Sequence, residues 1–490
     1  MKYSDVENLV NHLKNAIRKE YSKQNFENVL NGVSLAAQVL YSSNLYYADY
    51  DLENYISSVA EHLKLTGGLN EKFSDDVVMF YDGFGLNFRG LIQIYLKALC
   101  KIKKVVYVTY ARQKDKLPDV MKILSEHHSR SYFLDGDTNI KKIHQLNEIV
   151  RREKPGHFFF YSYPDDVTAT TIMNAYEGIF RRYQVNLTDH AFWLGAKPID
   201  VCIEFRDYGA GISHYYRKIP KSKILQIPYY PIINYDAKFQ GIPFDVKDGQ
   251  KIIFSGGSIY KTLGGGNKYY EIVNHILQNY PEAVFWYASG GSCKEMDEVL
   301  RKYPERAHLT PERSDLYQVL EHCYFYLSTY PVCGGLMFQY AAKAGKVPVT
   351  LRYDDMTDGI LLNQPELGIM FNNTDELYEE ISHLMTDENY CRAKGENMRK
   401  AVISEEGFND EIAGLFTDNA GKTYPVKYPA NIDTSHFRQI YLDNGKIRRL
   451  KMMITRRNNI FIMKHEPLMF LEGFFYRVVR KIFSIARKII

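Results

Sequence analysis

The residues best suited to chemistry lie in three glycine-bearing segments and one segment centred on a histidine. Phe254-Ser-Gly-Gly-Ser-Ile-Tyr-Lys261-Thr-Leu-Gly-Gly-Gly266 carries five glycines, the hydroxyls of Ser255, Ser258 and Thr262, and the charge of Lys261. Exposed backbone N–H groups beside a lysine suit a phosphate, with Ser255, Gly256 and Lys261 as the contacts. The spacing GxxxxGKS or GxxxxGKT is absent, so the segment is not a P-loop. Its plain alternative is a glycine-rich surface loop. Ser328-Thr-Tyr-Pro-Val-Cys-Gly-Gly335 follows a second apolar run and puts Gly334 and Gly335 at the start of a helix, a position that attracts anions. Two such turns converging on one diphosphate account for both segments.

The third segment, Asp82-Gly-Phe-Gly-Leu-Asn-Phe-Arg-Gly90, is a weak dinucleotide signal. Phe88 stands where GxGxxG has its third glycine, and no acidic ribose partner is evident about 20 residues on. Asp82, Gly83 and Gly85 form either a tight turn facing a substrate on the acceptor side or an ordinary strand-to-helix connection. In Val185-Asn-Leu-Thr-Asp-His-Ala-Phe-Trp-Leu-Gly195, His190 follows a strand and stands beside Asp189. A histidine at a strand end can serve as a general base, assisted or replaced by Asp189, or as a structural donor. Glu204-Phe-Arg-Asp-Tyr-Gly209 reads as a structural ion-pair network. None of the six cysteines sits in a CxxC or metal-ligand spacing, so no metal site is expected and the thiols read as reduced and cytosolic.

These segments need elements to hold them at strand ends. Residues 1–74 show helical spacing in Val6, Leu9, Val10, Leu13 and Ile17, and again in Val29, Val33, Ala36, Ala37 and Leu40. From residue 75 to 232, short apolar runs near 76–81, 105–110, 131–136, 157–163, 183–187, 200–205 and 223–231 alternate with helical stretches. Residues 233–250, rich in Pro, Gly and Asp, read as a linker. Residues 251–420 repeat the alternation. Such alternation predicts an α/β chain of two doubly wound, Rossmann-like halves, with ligands at the carboxyl ends of the strands.

Composition agrees: 45% hydrophobic and 24% charged residues exclude a disordered or low-complexity chain. The net charge of +4 conceals an asymmetry. Residues 446–490 hold twelve Lys or Arg against two Glu, a net of +10, which leaves −6 for the rest. A nucleic-acid enzyme would spread positive charge over its main domains, so no nucleic acid is expected. In the segment 421–490, Leu468, Leu471, Phe475, Val478, Ile482, Ile485 and Ile489 form one helical stripe, with Arg477, Arg480, Lys481, Arg487 and Lys488 largely off it. A basic amphipathic helix of this kind suits an anionic membrane surface; the alternative is packing on the protein itself or on a partner. No signal peptide and no spanning helix is expected, so the chain reads as cytoplasmic and bound peripherally to the inner face of the plasma membrane.

Over about residues 76–415 the layout resembles the GT-B fold of nucleotide-sugar glycosyltransferases. Trp193-Leu-Gly195 with Ile199-Asp200, Ser258-Ile-Tyr-Lys261, and Ser328 to Gly335 through Ala344-Gly345-Lys-Val-Pro-Val-Thr350 are similar to the catalytic core of O-GlcNAc transferases and bacterial adhesin N-glycosyltransferases. The resemblance implies a UDP-sugar or other nucleoside diphosphate sugar as donor and no further cofactor. It implies that Lys261 meets the diphosphate, that Gly334, Gly335 and Leu336 hold phosphate and ribose, and that Gln339 stands where that family has an acidic ribose contact. Leu336-Met337-Phe338 replaces its His-Thr-Thr. No Glu-x7-Glu pair is present, which points to inversion. With the basic tail, the expected reaction is transfer to a lipid-linked or glycan acceptor in bacterial surface-polysaccharide assembly. The alternatives are a nucleotide-sugar epimerase of the same fold, or a non-catalytic GT-B subunit supporting an active partner.

Overall fold

The computed structural model describes residues 3–87, 91–353, 358–417, 421, 423–435, 438 and 459–489; of these, 459, 476, 480 and 483–489 are described as backbone alone. The chain forms two compact units. One comprises Met1–Phe205, Gly209–Ile227 and Glu411–Ile490, the other Arg206–Tyr208 and Pro228–Asp410.

The first unit opens with three helices, α1 (Tyr3–Ser22), α2 (Phe26–Ser43) and α3 (Tyr50–Leu63). Asn25 caps α2 and Asp49 caps α3 through their side-chain oxygens, at 3.4 and 3.2 Å from the amides of Asn28 and Leu52. The apolar faces read from sequence are buried: Val6, Val10, Leu13 and Ile17 in α1, and Val29, Val33, Ala36, Ala37 and Leu40 in α2.

A seven-stranded parallel sheet follows, in the order β3-β2-β1-β4-β5-β6-β7. Its strands are β1 (Ser74–Asp82), β2 (Lys104–Tyr110), β3 (Arg130–Leu134), β4 (Pro155–Tyr161), β5 (Arg181–Val185), β6 (Val201–Glu204) and β7 (Ile224–Gln226). The helices α4 (Leu91–Ile102), α5 (Pro118–Glu126), α6 (Asn139–Glu153), α7 (Val167–Ala175) and α8 (Asp207–Gly211) lie between them in sequence. Every residue of β4 is buried, as a central strand covered on both faces requires.

Two differences from the sequence reading have local causes. The strand expected over 223–231 stops at Gln226, because Pro228 and Pro231 cannot donate to the ladder. The helix α7 was not expected, since Thr168, Thr170 and Thr171 are weak helix formers. It forms because Asp166 caps it, accepting from the amides of Thr168 and Ala169 at 2.9 and 3.0 Å. Phe88–Gly90, the end of the first glycine segment, lie outside the described residues.

The second unit repeats the plan with six parallel strands in the order β10-β9-β8-β11-β12-β13. These are β8 (Lys251–Gly256), β9 (Ala283–Ala288), β10 (Ala307–Thr310), β11 (Phe325–Leu327), β12 (Pro348–Leu351) and β13 (Met370–Phe371). Helices α9 (Lys268–Asn279), α10 (Lys294–Lys302), α11 (Leu316–Glu321), α12 (Gly335–Lys343), α13 (Thr374–Thr386), α14 (Glu388–Lys400) and α15 (Glu405–Gly414) complete the sequence of elements. The segment expected as a linker packs on this unit: Phe239 stacks on His322 and Phe244 on His308, with ring centroids 3.9 and 3.8 Å apart.

Both sheets therefore carry the 3-2-1-4-5-6 order of a doubly wound fold, the first with one strand more. Two Rossmann-like units in one chain, preceded by helices, are the parts of the GT-B architecture.

The tail returns to the first unit. A short helix, α16 (Asn459–His465), precedes α17 (Pro467–Ile489). Phe461, Ile462 and Met469 join the first unit's core. Buried Glu20 receives Lys464 Nζ at 2.5 Å and lies 3.1 Å from His465 Nε2. Burial works against its charge, but Lys464 and Asn28 hold the carboxyl at about 2.

Candidate active site

In each doubly wound sheet the ligand crevice opens where the strand order reverses. In the second unit that point lies between β8 and β11, and these two strands run into the second and third glycine segments. The segments meet. Val332 N–H donates to Lys261 O at 3.3 Å. A Cβ on Gly265 would lie 2.7 Å from the Tyr330 ring, and one on Gly334 would lie 3.6 Å from Lys261 Nζ. Gly265 also has a φ of +58°, so glycine serves there both the turn and the close approach.

Lys261 is thereby brought to the N-terminus of α12, where Gly335 and Leu336 begin the helix. Burial pushes the Cys333 thiol up, while Lys261 and Arg206 act against it. Arg206 was not expected in this cluster. The sequence joined it to Glu204; the structure instead places it in the second unit, with Nη1 3.5 Å from Asp358 O and its guanidinium 4.9 Å from the Tyr208 ring centre. Two cations and a helix N-terminus about one turn are a combination that favours negative charge.

The other residues expected at the donor are disposed unequally. Ser255 and Gly256 end β8; Ser255 is buried and its hydroxyl accepts from Tyr269 at 2.6 Å. Gln339 is buried in α12, and its amide nitrogen donates to Tyr229 O and Ile360 O at 3.0 and 3.1 Å. It ties backbone segments together, and its Oε1 is buried without a hydrogen-bond partner among the described residues.

In the first unit the strand order reverses between β1 and β4. Here the turn is closed tightly. Asp82 is fully buried, accepting from Gly85 N–H at 2.8 Å and from the Tyr107 hydroxyl at 2.7 Å. Burial raises its carboxyl to about 6. Gly83 lies against Ser162, leaving no room for a Cβ, and Gly85 has a φ of +58°. Asp82, Gly83 and Gly85 thus brace the turn.

His190 is more open, its side chain 28% exposed, with Nδ1 3.2 Å from Oδ1 of buried Asp189. A carboxylate at Nδ1 fixes the tautomer in which Nε2 accepts a proton. The turn beneath is rigid. Arg217 Nη2 donates to the carbonyls of Thr188, Asp189 and Ala191 at 3.0, 2.9 and 2.6 Å. Arg217 Nη1 donates to Ser213 Oγ at 3.0 Å, and the Ser213 hydroxyl donates to Glu204, which also accepts from Asn186 at 2.8 Å. Burial pushes Arg217 down and Glu204 up. Glu204 is therefore in a buried network, but not in the ion-pair cluster with Arg206 and Asp207 expected from sequence: Arg217 reaches it through Ser213. Glu53 of α3 accepts from the backbone N–H groups of Gly195, Ala196 and Lys197 at 3.2, 3.0 and 2.7 Å, clamping the end of the same segment. Among the described residues no group of three or more His, Cys, Asp or Glu is placed to hold a metal ion.

No protein-family model matches the chain, and no curated protein is similar to it in sequence. Solved structures are similar to it. A mutant of Thermobaculum terrenum O-GlcNAc transferase matches at 14% identity over 86% of this chain and 79% of that one, with a TM-score of 0.49. Anabaena HepE in complex with UDP and glucose matches at 12% identity over 69% and 98%, with a TM-score of 0.48. UDP-GlcNAc 2-epimerase from Neisseria meningitidis, bound to UDP-GlcNAc, matches at 12% over 70% and 99%, with a TM-score of 0.47.

Proposed function

We propose that this protein is a glycosyltransferase that moves a sugar from a nucleoside diphosphate donor, in the first instance a UDP-sugar, to a lipid-linked or glycan acceptor with inversion. The observation that carries the reading is the meeting of Lys261 with the Gly334–Gly335 turn at the start of α12. His190, oriented by Asp189, takes the proton from the acceptor hydroxyl as that oxygen attacks the anomeric carbon. The bond from that carbon to the diphosphate breaks, and UDP leaves with its new charge facing Lys261, Arg206 and the α12 N-terminus.

The exposed tail supports a reaction at a membrane surface. Leu468, Phe475 and Ile482 of α17 are 76%, 73% and 60% exposed, and Leu471 and Val478 of the same stripe are exposed too. Lys481 lies off that stripe on the exposed surface. No described helix is long and apolar enough to cross a membrane. An apolar stripe flanked by positive charge fits an anionic leaflet from its surface. Bacterial surface-polysaccharide assembly on the cytoplasmic face is the setting this combination suits.

A donor-binding, non-catalytic subunit is the second reading, favoured by Gln339, whose amide nitrogen is occupied with backbone. One set of assays separates the readings. UDP titrated into the full-length protein should bind, and Lys261→Ala should weaken it about 10- to 100-fold, the cost of a lost charge-assisted contact. Unchanged affinity would remove the phosphate role. Nucleotide sugars supplied with and without acceptor then distinguish transfer, epimerisation of the donor alone, and binding without turnover.

A further inference from the structure

Arg217 lies wholly inside the first unit, 0% exposed. Among the described residues its guanidinium donates to neutral oxygens alone, the carbonyls of Thr188, Asp189 and Ala191 from Nη2 and Ser213 Oγ from Nη1. Taking a charge out of water is costly, and neutral donors also satisfy carbonyls. Hydrogen bonding to a turn therefore does not by itself account for a cation here. The chain bends to bring it in. Ile212–Tyr216 is a π-helical turn, closed by the Arg217 N–H on Ile212 O at 3.0 Å. Such turns are rare and often stand at functional sites. Tyr50 of α3 donates to Arg217 O at 2.6 Å, and the guanidinium lies 5.0 and 5.5 Å from the ring centres of Trp193 and Tyr47.

Two buried acids supply the reason for the charge. Glu204 is 0% and Asp189 1% exposed. Glu204 is joined to the guanidinium through the Ser213 hydroxyl, and Asp189 belongs to the turn that the guanidinium holds. Burial works against the charge of Arg217, and both acids act in its favour. The acids oppose one another. Gly209 lets them come close, since a Cβ there would overlap Glu204 Oε2 and lie 2.9 Å from Asp189 Cβ. Without the cation, two carboxyl groups would face each other in a place that water does not reach, and like charges so confined do not both ionise. A planar guanidinium also reaches three carbonyls and a hydroxyl at once, which one ammonium group does not. Asp189, held in this way, sets Oδ1 3.2 Å from His190 Nδ1.

We propose that Arg217 is a positioning residue for His190: it fixes the turn 188–191 through three carbonyls and serves as the shared cation of Asp189 and Glu204, so that Asp189 keeps the imidazole proton on Nδ1 and Nε2 takes up the proton in the reaction. The use of Nε2 as the base rests on the transferase reading; the fixed tautomer does not. Arg217, wholly buried, acts only through this turn.

The test is nitrogen NMR of the histidine rings in the full-length protein at about pH 8.5, where an ordinary histidine is neutral. The His190 signals are those lost in His190→Gln. In the parent they should show a protonated Nδ1 and a bare Nε2. Arg217→Lys should mix the two tautomers or move the proton to Nε2. It should also lower turnover, by up to the about 10²–10⁴-fold of a lost base, with the donor KM near the parent's. Ser213→Ala, which cuts only the link to Glu204, should change the His190 signals in the same direction and less, and it decides the matter if Arg217→Lys does not fold. A proton on Nε2 in the parent would overturn the proposal. So would His190 signals that both variants leave as in the parent, whatever happens to turnover. Signals that respond as stated in a protein that transfers no sugar would count against the transferase reading and leave the positioning of His190 standing.

Discussion

The two units share a strand order and differ in how their turns end. At the reversal in the first sheet the turn is sealed by a buried acid: Asp82 accepts from Gly85 and Tyr107, and Gly83 fits against Ser162. At the reversal in the second sheet the turns are open glycine loops, with Lys261 and Arg206 about the start of α12. The same backbone plan thus sets two cations about the start of a helix in one unit. In the other it sets His190 on a braced turn. The fold supplies strand ends and the loop chemistry assigns them, which is why fold alone does not give function.

The largest effect expected from this contrast is on the rate. If the first unit holds the base and the second holds the donor, His190→Ala should lower turnover about 10²–10⁴-fold while UDP affinity stays near the parent's. A parallel loss of UDP affinity would merge the two roles and break the contrast. Unchanged turnover would move the base to Asp189.

A sealed acid also predicts a pH signature that glycine loops lack. Asp82 titrates near 6 in the folded chain, against an ordinary value of 3.8. Between those values the folded state holds a proton that the unfolded chain has lost. The stabilisation is therefore complete below about pH 4 and is lost as pH rises through about 6. A carboxyl raised this far changes the unfolding free energy by roughly 3 kcal/mol across that window. Asp82→Asn keeps an oxygen for Gly85 and an amide for Tyr107 but does not titrate. The difference in unfolding free energy between parent and variant should change by about that amount from pH 3.5 to 7 and then stay level. A difference constant with pH would show that Asp82 is not sealed.

How much of this was legible in sequence follows from the range of the interactions. Strands such as β4 and β9 are continuous apolar runs because both faces are covered, so the alternation could be read directly. The donor turns could be read because glycines before a helix are a local pattern. The braces could not. Glu53 reaches Gly195 across 142 positions of sequence, and no spacing rule links them. Arg206 was assigned to its sequence neighbours and belongs to the other unit. The helix α7 escaped because its cap outweighs its threonines.

The units differ, finally, in where they put positive charge, and this gives the smallest and most selective effect. In the second unit Lys261 and Arg206 stand about one turn; in the first, Lys464 is bound to Glu20 while Lys481 lies exposed on α17 beside the apolar stripe. Each basic residue near an anionic leaflet is worth about 1 kcal/mol, or roughly fivefold in partition. Lys481→Gln should therefore weaken binding to anionic vesicles about fivefold and reduce its salt dependence, with UDP binding unaltered. Lys261→Ala should do the reverse. Added salt should weaken vesicle binding of the parent without abolishing it, because the exposed apolar stripe contributes a part that salt does not screen. No binding to anionic vesicles at any salt concentration would assign the stripe to packing or to a protein partner. The charge of α17 would then have no leaflet to face, and the contrast between the units would reduce to the chemistry of their turns.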